Sequence, residues 1–597
     1  MLILIAIFIG LAYYYKVLSE KKEKDKALYD VIAKRQKERS MSLDMAKESA
    51  EKLNSSRRDE IAKWNFKDLR ENLQRGKVSC VEVLRTYQWK ALQAHEKTNC
   101  ITLFIQEAEQ WAAEWDRKAA ESGFRKPAFF GIPISLKECI SVKGYDVTRG
   151  FVQDVGKPSD ADSLLTAQAK QLGFVPFVQT NVPQSLLSYS CSNPVYGVTN
   201  SPLDRERTSG GSTGGEAALL AADGSIIGIG GDVGGSIRIP CHFTGMAGIK
   251  PSSLRFSHRN SHGAVPGRPL VNANEGPMAK DIKTCVEFLK EVWGDNWITE
   301  NDPYVAPVMW NKDMYRRGNK YRVGYYVDDG WFTPAPAIKR AVLEAKVHLE
   351  AAGHTVVPLR LPRVPEMMRH YVRALCVDGG SFVYNKLSKD IIDPSLDGQM
   401  LLIKTPIFIQ RLLAYPDIID PSLDGQMLLI KTPIFIQRLL AYPVEKISPR
   451  MANMMRGMTT HTKEIRETYE AIENYRDEVV ELMMKHNVDA LLCPPQVLIT
   501  PKHEIPAKLF SAVCYTAMFN LLDFGAGVVN VTKVNEKDEQ ALEEEYPETD
   551  MWYRVAKDAC RDTVGYPVNV QVAAPPYREE IVLRLLRDIE VAVKGKH

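Results

Sequence analysis

From about residue 127 onward the chain alternates between two hydrophobic patterns. The runs PAFFGIPISLKE, GFVPFVQTNVP, GSIIGIGGDVGG, GAGVVNVTKV and PVNVQVAAPP are short, apolar and rich in β-branched residues, which predicts strands. Stretches with helical spacing separate them, PAIKRAVLEAKVHLEAAGH among them. Strands and helices alternating in this way predict an α/β fold whose sheet is covered on both faces. Residues 16–98 are polar with a mostly helical pattern, and residues 1–15, MLILIAIFIGLAYYY, carry no charged side chain. The expected organisation is a membrane anchor over 1–15, a helical N-terminal region over 16–98, and one large α/β/α domain with a mixed sheet over 99–597.

Fifteen helical residues reach about 22 Å, short of a hydrocarbon core of about 30 Å. A cleaved signal peptide needs a basic leading region and a small-residue cleavage site, and neither is present. Tyr13, Tyr14 and Tyr15 fit an interfacial aromatic belt, and Lys16, Lys21, Lys22, Lys24 and Lys26 follow. That charge bias predicts an uncleaved anchor with the bulk of the chain in the cytosol; a cleaved signal or a buried helix are the alternatives.

At 597 residues, 45% apolar and 25% charged, the chain can build a large core. The formal net charge of +3, with no basic stripe interleaved with aromatics, argues against nucleic acid as a partner. Ten cysteines are scattered without C-x-x-C spacing, so neither a disulfide framework nor a zinc site is expected. No H-E-x-x-H pattern occurs, and no metal or cofactor is expected.

One segment is unusual. Residues 390–416, DIIDPSLDGQMLLIKTPIFIQRLLAYP, recur unchanged as residues 417–443. Stacking repeat arrays need about three units, so two flawless copies point to a recent duplication, alternative splicing or an assembly error.

The densest chemical signal runs from Thr208 to Lys250. Ser212 lies in GGSTGG and Ser236 in DVGGSIR. Glycine lets a backbone approach a ligand closely, and successive N–H groups in such a turn can converge on an anion. A phosphate loop is excluded because G-x-x-x-x-G-K-[ST] is missing. A hydrolase elbow would use Gly210, Ser212 and Gly214, but the preceding SPLDRERTSG is too polar for the apolar strand that elbow requires. Glycine turns that simply pack a helix on a sheet remain a third reading. Lys137 ends the apolar run GIPISLK, which places an amine at a strand end. Lysine serves as a base only when neutral, and moving its pKa from about 10.4 toward 7 costs roughly 4–5 kcal/mol. Burial can supply that shift.

GGSTGGEAAL, then GGDVGGSIRIP, with LKE upstream, resembles the amidase signature family. TNVPQSLLSYSCSNPVYG, RVGYYVDDG, EAAGHTVVP and LDFGAGVV extend the resemblance over most of the chain and bring it near the animal, membrane-anchored branch acting on fatty acid amides. The resemblance implies Ser236 as acyl-forming nucleophile, Ser212 as bridging serine and Lys137 as terminal base. It implies an oxyanion hole from the N–H groups of Val233, Gly234, Gly235 and Ser236, and acyl contact at Leu186. Departures fall at Thr213, where many relatives carry serine, and at Leu187 and Cys376, where mammalian relatives are aromatic. Trp552 keeps an aromatic ring at a channel position or in the core.

The implied activity is hydrolysis of N-acylethanolamines and primary fatty amides to fatty acid and amine. A homodimer at the endoplasmic reticulum membrane is implied as well. MLLIKTPIFIQRLLAY resembles the family's hydrophobic cap, with Lys404 and Arg411 beside apolar residues as an interfacial helix requires; a core helix is the alternative. An amidase for small polar amides, an amidotransferase subunit and an inactive membrane scaffold are the competing functions. The first two need no bilayer, and intact Lys137, Ser212 and Ser236 argue against the third.

Deleting residues 417–443 is expected to preserve amide hydrolysis and thermal stability, because a single copy already continues into PVEKISPRMANMMRGM. Peptide mass mapping of the natural protein would show whether the junction of Tyr415, Pro416 and Asp417 exists. An existing junction together with an inactive shortened enzyme would make the duplication functional.

Overall fold

The structure, a computed structural model, describes residues 2–261, 263–267, 270–271, 273–378, 380–393, 445, 449–456 and 462–595. An 11-stranded mixed sheet forms its centre. In chain order the strands are β1 (Ile101–Phe104), β2 (Pro133–Lys137), β3 (Val175–Thr180), β4 (Ser192–Asn193), β5 (Gly197–Val198), β6 (Ile227–Asp232), β7 (Ala247–Lys250), β8 (Asn274–Ala279), β9 (Arg322–Tyr325), β10 (Thr355–Pro358), β11 (Ala490–Cys493), β12 (Gly525–Lys533) and β13 (Pro567–Ala574). Their order across the sheet is β1-β3-β2-β6-β8-β7-β12-β13-β11-β9-β10, and β4 and β5 form a separate two-stranded ladder.

Every residue of β2, β3, β7 and β8 is buried. Burial without alternation requires cover on both faces of the sheet, as the apolar runs predict. Helix Pro336–Ala351 packs on β13, helix Glu579–Lys594 on β12, and helix Ile282–Val292 on β8. The five runs read as strands all contain one: β2, β3, β6, β12 and β13. The remaining strands of the large sheet are β8, of six residues, and five of four residues each, and their pairing identifies them.

The region 16–98 is helical as expected, in helices Leu2–Glu51, Ser55–Ala62, Phe66–Gln74 and Cys80–Thr98. It shares one hydrophobic core with the sheet, from Ala46 through Leu84 and Tyr87 to Ile589. Helix Leu2–Glu51 runs without a break past residue 15. Among the described residues no helix is long and apolar enough to cross a membrane. The side chains of residues 1–22 lie outside the description. Of the cap segment expected over 390–443, residues 394–443 also lie outside it. Asp390 does belong to the fold, accepting the N–H groups of Val152 and Gln153 at 3.2 and 3.1 Å.

A charge cluster ties the last helix to the loop after β7. Glu579 Oε2 accepts Arg255 Nη1 at 2.7 Å, and Glu580 Oε1 accepts Arg255 Nη2 at 3.3 Å, with all three side chains inaccessible to solvent. Glu579 Oε1 also accepts the Ser252 N–H at 2.7 Å, and the Arg255 guanidinium lies 3.7 Å from the Trp293 ring centre. Removing one partner of a buried pair strands the other, which typically costs about 3–5 kcal/mol. Glu579→Ala is therefore expected to lower the thermal unfolding midpoint sharply, and Glu579→Gln, which keeps the acceptor for Ser252, to lower it less. Calorimetry of the two variants checks this order.

Candidate active site

Two adjacent parallel strands, β2 and β6, aim their carboxyl ends at one place. Their register pairs Ser135 with Gly228 and Leu136 with Ile229. Strand β2 ends on Lys137 and β6 on Gly231 and Asp232. Carboxyl ends of strands in an α/β sheet are where such folds build sites.

Lys137 is 2% exposed. Its Nζ lies 2.8 Å from Ser212 Oγ and donates to the Gly231 carbonyl at 3.0 Å. Burial pushes the lysine pKa below its ordinary value, against the nearby thiols Cys139 and Cys191 and the carboxyls of Asp232 and Glu138, which favour the charged form. This is the desolvation that a neutral lysine base requires.

Ser212 sits in the loop before helix Gly214–Ala221. Gly211 must be glycine there, because a Cβ would stand 2.0 Å from the Ser190 carbonyl oxygen. The Thr213 N–H donates to the Ser236 carbonyl at 3.2 Å, which ties the two serine loops together.

Ser236 lies in the turn between β6 and helix Arg238–Thr244. Asp232 holds this turn from inside: Oδ1 accepts the Gly235 N–H at 2.8 Å and Oδ2 the Ile237 N–H at 3.1 Å. Burial alone would raise the Asp232 pKa. Arg238 outweighs it and keeps the carboxyl well below the usual carboxylate range. Arg238 donates to both Asp232 oxygens, at 3.0 and 2.9 Å. It also reaches the Thr516 carbonyl, Gln571 Oε1 and Asn520 Oδ1 at 3.0, 2.8 and 2.6 Å. Outside the turn, Tyr371 Oη donates to the Val233 carbonyl at 3.1 Å and Thr516 Oγ1 to the Gly234 carbonyl at 2.7 Å. In a planar trans peptide the N–H points opposite the C=O, so Tyr371 also aims the Gly234 N–H. Gly235 has φ of 125°, and a Cβ there would meet Thr516 Oγ1 at 2.3 Å.

Lys137, Ser212 and Ser236 line one cavity of about 340 Å³ together with Leu186, Leu187 and Val233. Gly234 and Gly235 form the turn between Val233 and Ser236. The Gly235 N–H, one of the four expected oxyanion donors, is already engaged by Asp232. Leu186 has a positive φ of 58°, a conformation that costs a non-glycine residue roughly 1–3 kcal/mol and recurs at ligand clamps. Trp552 is in the core, stacked on Phe332 with ring centres 6.5 Å apart. Cys376 follows helix Val364–Leu375 and does not line this cavity among the described residues.

Sequence reasoning missed the groups that hold the Ser236 turn. Asp232 and Arg238 bracket Ser236 inside DVGGSIR, where opposite charges six residues apart in an apolar setting were a usable signal. Tyr371 and Thr516 are far away in the chain and carried none. Glu275 and Ser261, also on the cavity wall, were missed as well.

The Amidase family matches residues 82–583. Fatty acid amide hydrolase 1 of Caenorhabditis elegans is 53% identical over 588 residues, 98% of this chain and 98% of that protein. Fatty-acid amide hydrolase 1 of Sus scrofa is 35% identical over 520 residues, 86% of this chain and 83% of that protein. Among solved structures, a fatty acid amide hydrolase superposes with a TM-score of 0.74 at 22% identity, covering 95% of this chain and 96% of that one. A fold matched across nearly the whole chain and a family match spanning the entire site region lead to one conclusion: the chain belongs to the amidase family.

Proposed function

We propose that this protein hydrolyses fatty acid amides to free fatty acid and amine through a Ser236 acyl-enzyme. The observation that carries the reading is the buried Lys137 amine 2.8 Å from Ser212 Oγ, on a cavity that Ser236 also lines. Similarity to the worm and pig fatty acid amide hydrolases supports the substrate class.

Neutral Lys137 takes a proton from Ser236 through Ser212 as Ser236 Oγ attacks the amide carbonyl. The negative oxygen is met by N–H groups of the Val233–Ser236 turn, with Gly235 sharing its donor with Asp232. The C–N bond then breaks, and Lys137 returns the proton through Ser212 to the departing nitrogen. Water hydrolyses the resulting ester by the same relay. Acid–base help of this kind contributes about 10²–10⁴-fold, and each preset oxyanion donor roughly 2.7–4 kcal/mol.

The reading extends to the membrane. The apolar run over residues 1–15 and the lysines behind it support an N-terminal anchor with the enzyme on the cytosolic side. The apolar segment within 390–443 supports a second attachment through which lipid substrate enters. A homodimer at the endoplasmic reticulum completes the proposal, on the strength of the family resemblance.

Ser236→Ala is expected to abolish both amide hydrolysis and labelling by a fluorophosphonate, with far-UV circular dichroism unchanged. Label on Ser212 of the wild type, with Ser236 unmodified, would move the nucleophile and overturn the mechanism.

Lys137→Ala is expected to slow amides by at least about 10²-fold and matched esters less, since an alkoxide leaves with less help from an acid. In the wild type the neutral fraction of Lys137 grows as pH rises toward its lowered pKa. The value of kcat/KM therefore climbs with pH and levels off below about 10.4, the ordinary lysine value. Equal losses on both substrates, or a rate still climbing beyond that pH, would remove Lys137 from the proton relay.

A further inference from the structure

Glu275 stands on the cavity wall with half of its carboxyl group unused. The residue is 7% exposed. Ser261 Oγ donates to Oε1, whereas Oε2 is buried without a hydrogen-bond partner among the described residues. A buried polar atom left unpaired costs free energy, so its persistence beside a site calls for a ligand-side partner.

The sheet register locates this oxygen. Glu275 on β8 lies directly opposite Gly231 on β6. Directly opposed residues of an antiparallel pair project to the same face, with Cβ positions about 4.5–5.5 Å apart. A Cβ at Gly231 would stand 3.9 Å from Lys137 Nζ. Glu275 thus projects on the Lys137 flank of the cavity, over a strand position with no side chain to fill the space. The amine does not use it as a counter-ion, because Nζ is engaged by Ser212 and the Gly231 carbonyl. Burial pushes the carboxyl up to about 7, with Ser261 and the Lys137 charge acting in the opposite sense.

The side of the substrate that reaches this flank follows from the relay. The departing nitrogen receives its proton from Lys137 by way of Ser212, so that nitrogen and its substituent lie on the Lys137 side of Ser236. We infer that Glu275 is a specificity-determining residue whose Oε2 accepts a hydrogen bond from a donor on the amine half of the substrate. This rests on Ser236 and Lys137 acting as described above. The favoured class is amides of amines that carry a hydroxyl or second amino group, over alkylamides of equal length. A site that hydrogen-bonds a substrate hydroxyl discriminates against the analogue lacking it because its own polar atom is then left unpaired.

The test compares two amides with the same acyl chain, one N-(2-hydroxyethyl) and one N-propyl, on the full-length wild type, Glu275→Met and Glu275→Gln. The wild type is expected to favour the hydroxyethyl amide by about 10-fold or more in kcat/KM, a ratio that collapses toward 1 in Glu275→Met. In Glu275→Gln, with Ser261 on the amide oxygen, an N–H faces the cavity, and the ratio falls between these. Fluorophosphonate labelling of Ser236, which involves no amine half, shows which variants are folded; if Glu275→Met does not label, Glu275→Gln carries the test. A wild type without preference overturns the inference. So does a ratio held constant while both substrates slow together, which would mean that Glu275 acts only through Lys137. Running long and short acyl chains separates this from the proposed function: cleavage of short amides alone would end the fatty-amide reading and still report the ratio.

Discussion

The turn carrying Ser236 keeps its shape because a carboxylate stays charged where no water reaches it. Asp232 and Arg238 are both fully enclosed, and the ion pair is joined by backbone donors on one side and by Thr516, Asn520 and Gln571 on the other. Two enclosed charges are tolerated only when geometry and further hydrogen bonds offset their desolvation. Here the compensating groups come from the turn after β6, from helix Cys514–Leu521 and from β13. The local turn is therefore built by distant parts of the chain, and the site forms only when the sheet has closed around it.

The same enclosure acts in the opposite sense at Lys137. There the protein supplies a hydroxyl and a carbonyl instead of a carboxylate, so burial is left to favour the neutral amine. Two charged groups at the ends of neighbouring parallel strands thus meet different fates. Asp232 is held ionised by Arg238, and burial draws the Lys137 pKa below its ordinary value.

Three buried glutamates near these strands show how satisfaction decides purpose. Glu216 accepts Ser135 Oγ on one oxygen and Thr180 Oγ1 on the other, and burial pushes it up to about 8. It braces β2 and β3 behind Lys137. Glu138 accepts both the N–H and the hydroxyl of Thr148, and the Arg149 N–H, shaping the loop that follows. Both are fully committed within the fold. Glu275 alone of the three faces the cavity and keeps an oxygen uncommitted.

The long apolar runs made β2, β3, β6, β12 and β13 legible, because a strand buried on both faces needs no partner to declare its hydrophobicity. Lys137 at the end of one run, and Ser212 and Ser236 among glycines, were legible for a related reason: they break strong local patterns. Strands such as β9 and β10 were not, since four residues carry too little periodicity and only hydrogen bonding to neighbours makes them strands. Leu186 was visible only through the family resemblance, and its positive φ belongs to the folded loop. Tyr371 and Thr516 show the general limit. Each is an ordinary residue on its own helix, and each matters because packing brings it to a carbonyl of the Ser236 turn across 138 and 282 residues of chain. Residue type and local spacing are properties of the sequence alone and determined which groups could do chemistry. Which of them are dry, which are paired and which oxygen is left over depends on long-range contacts, and only the tertiary structure decided that.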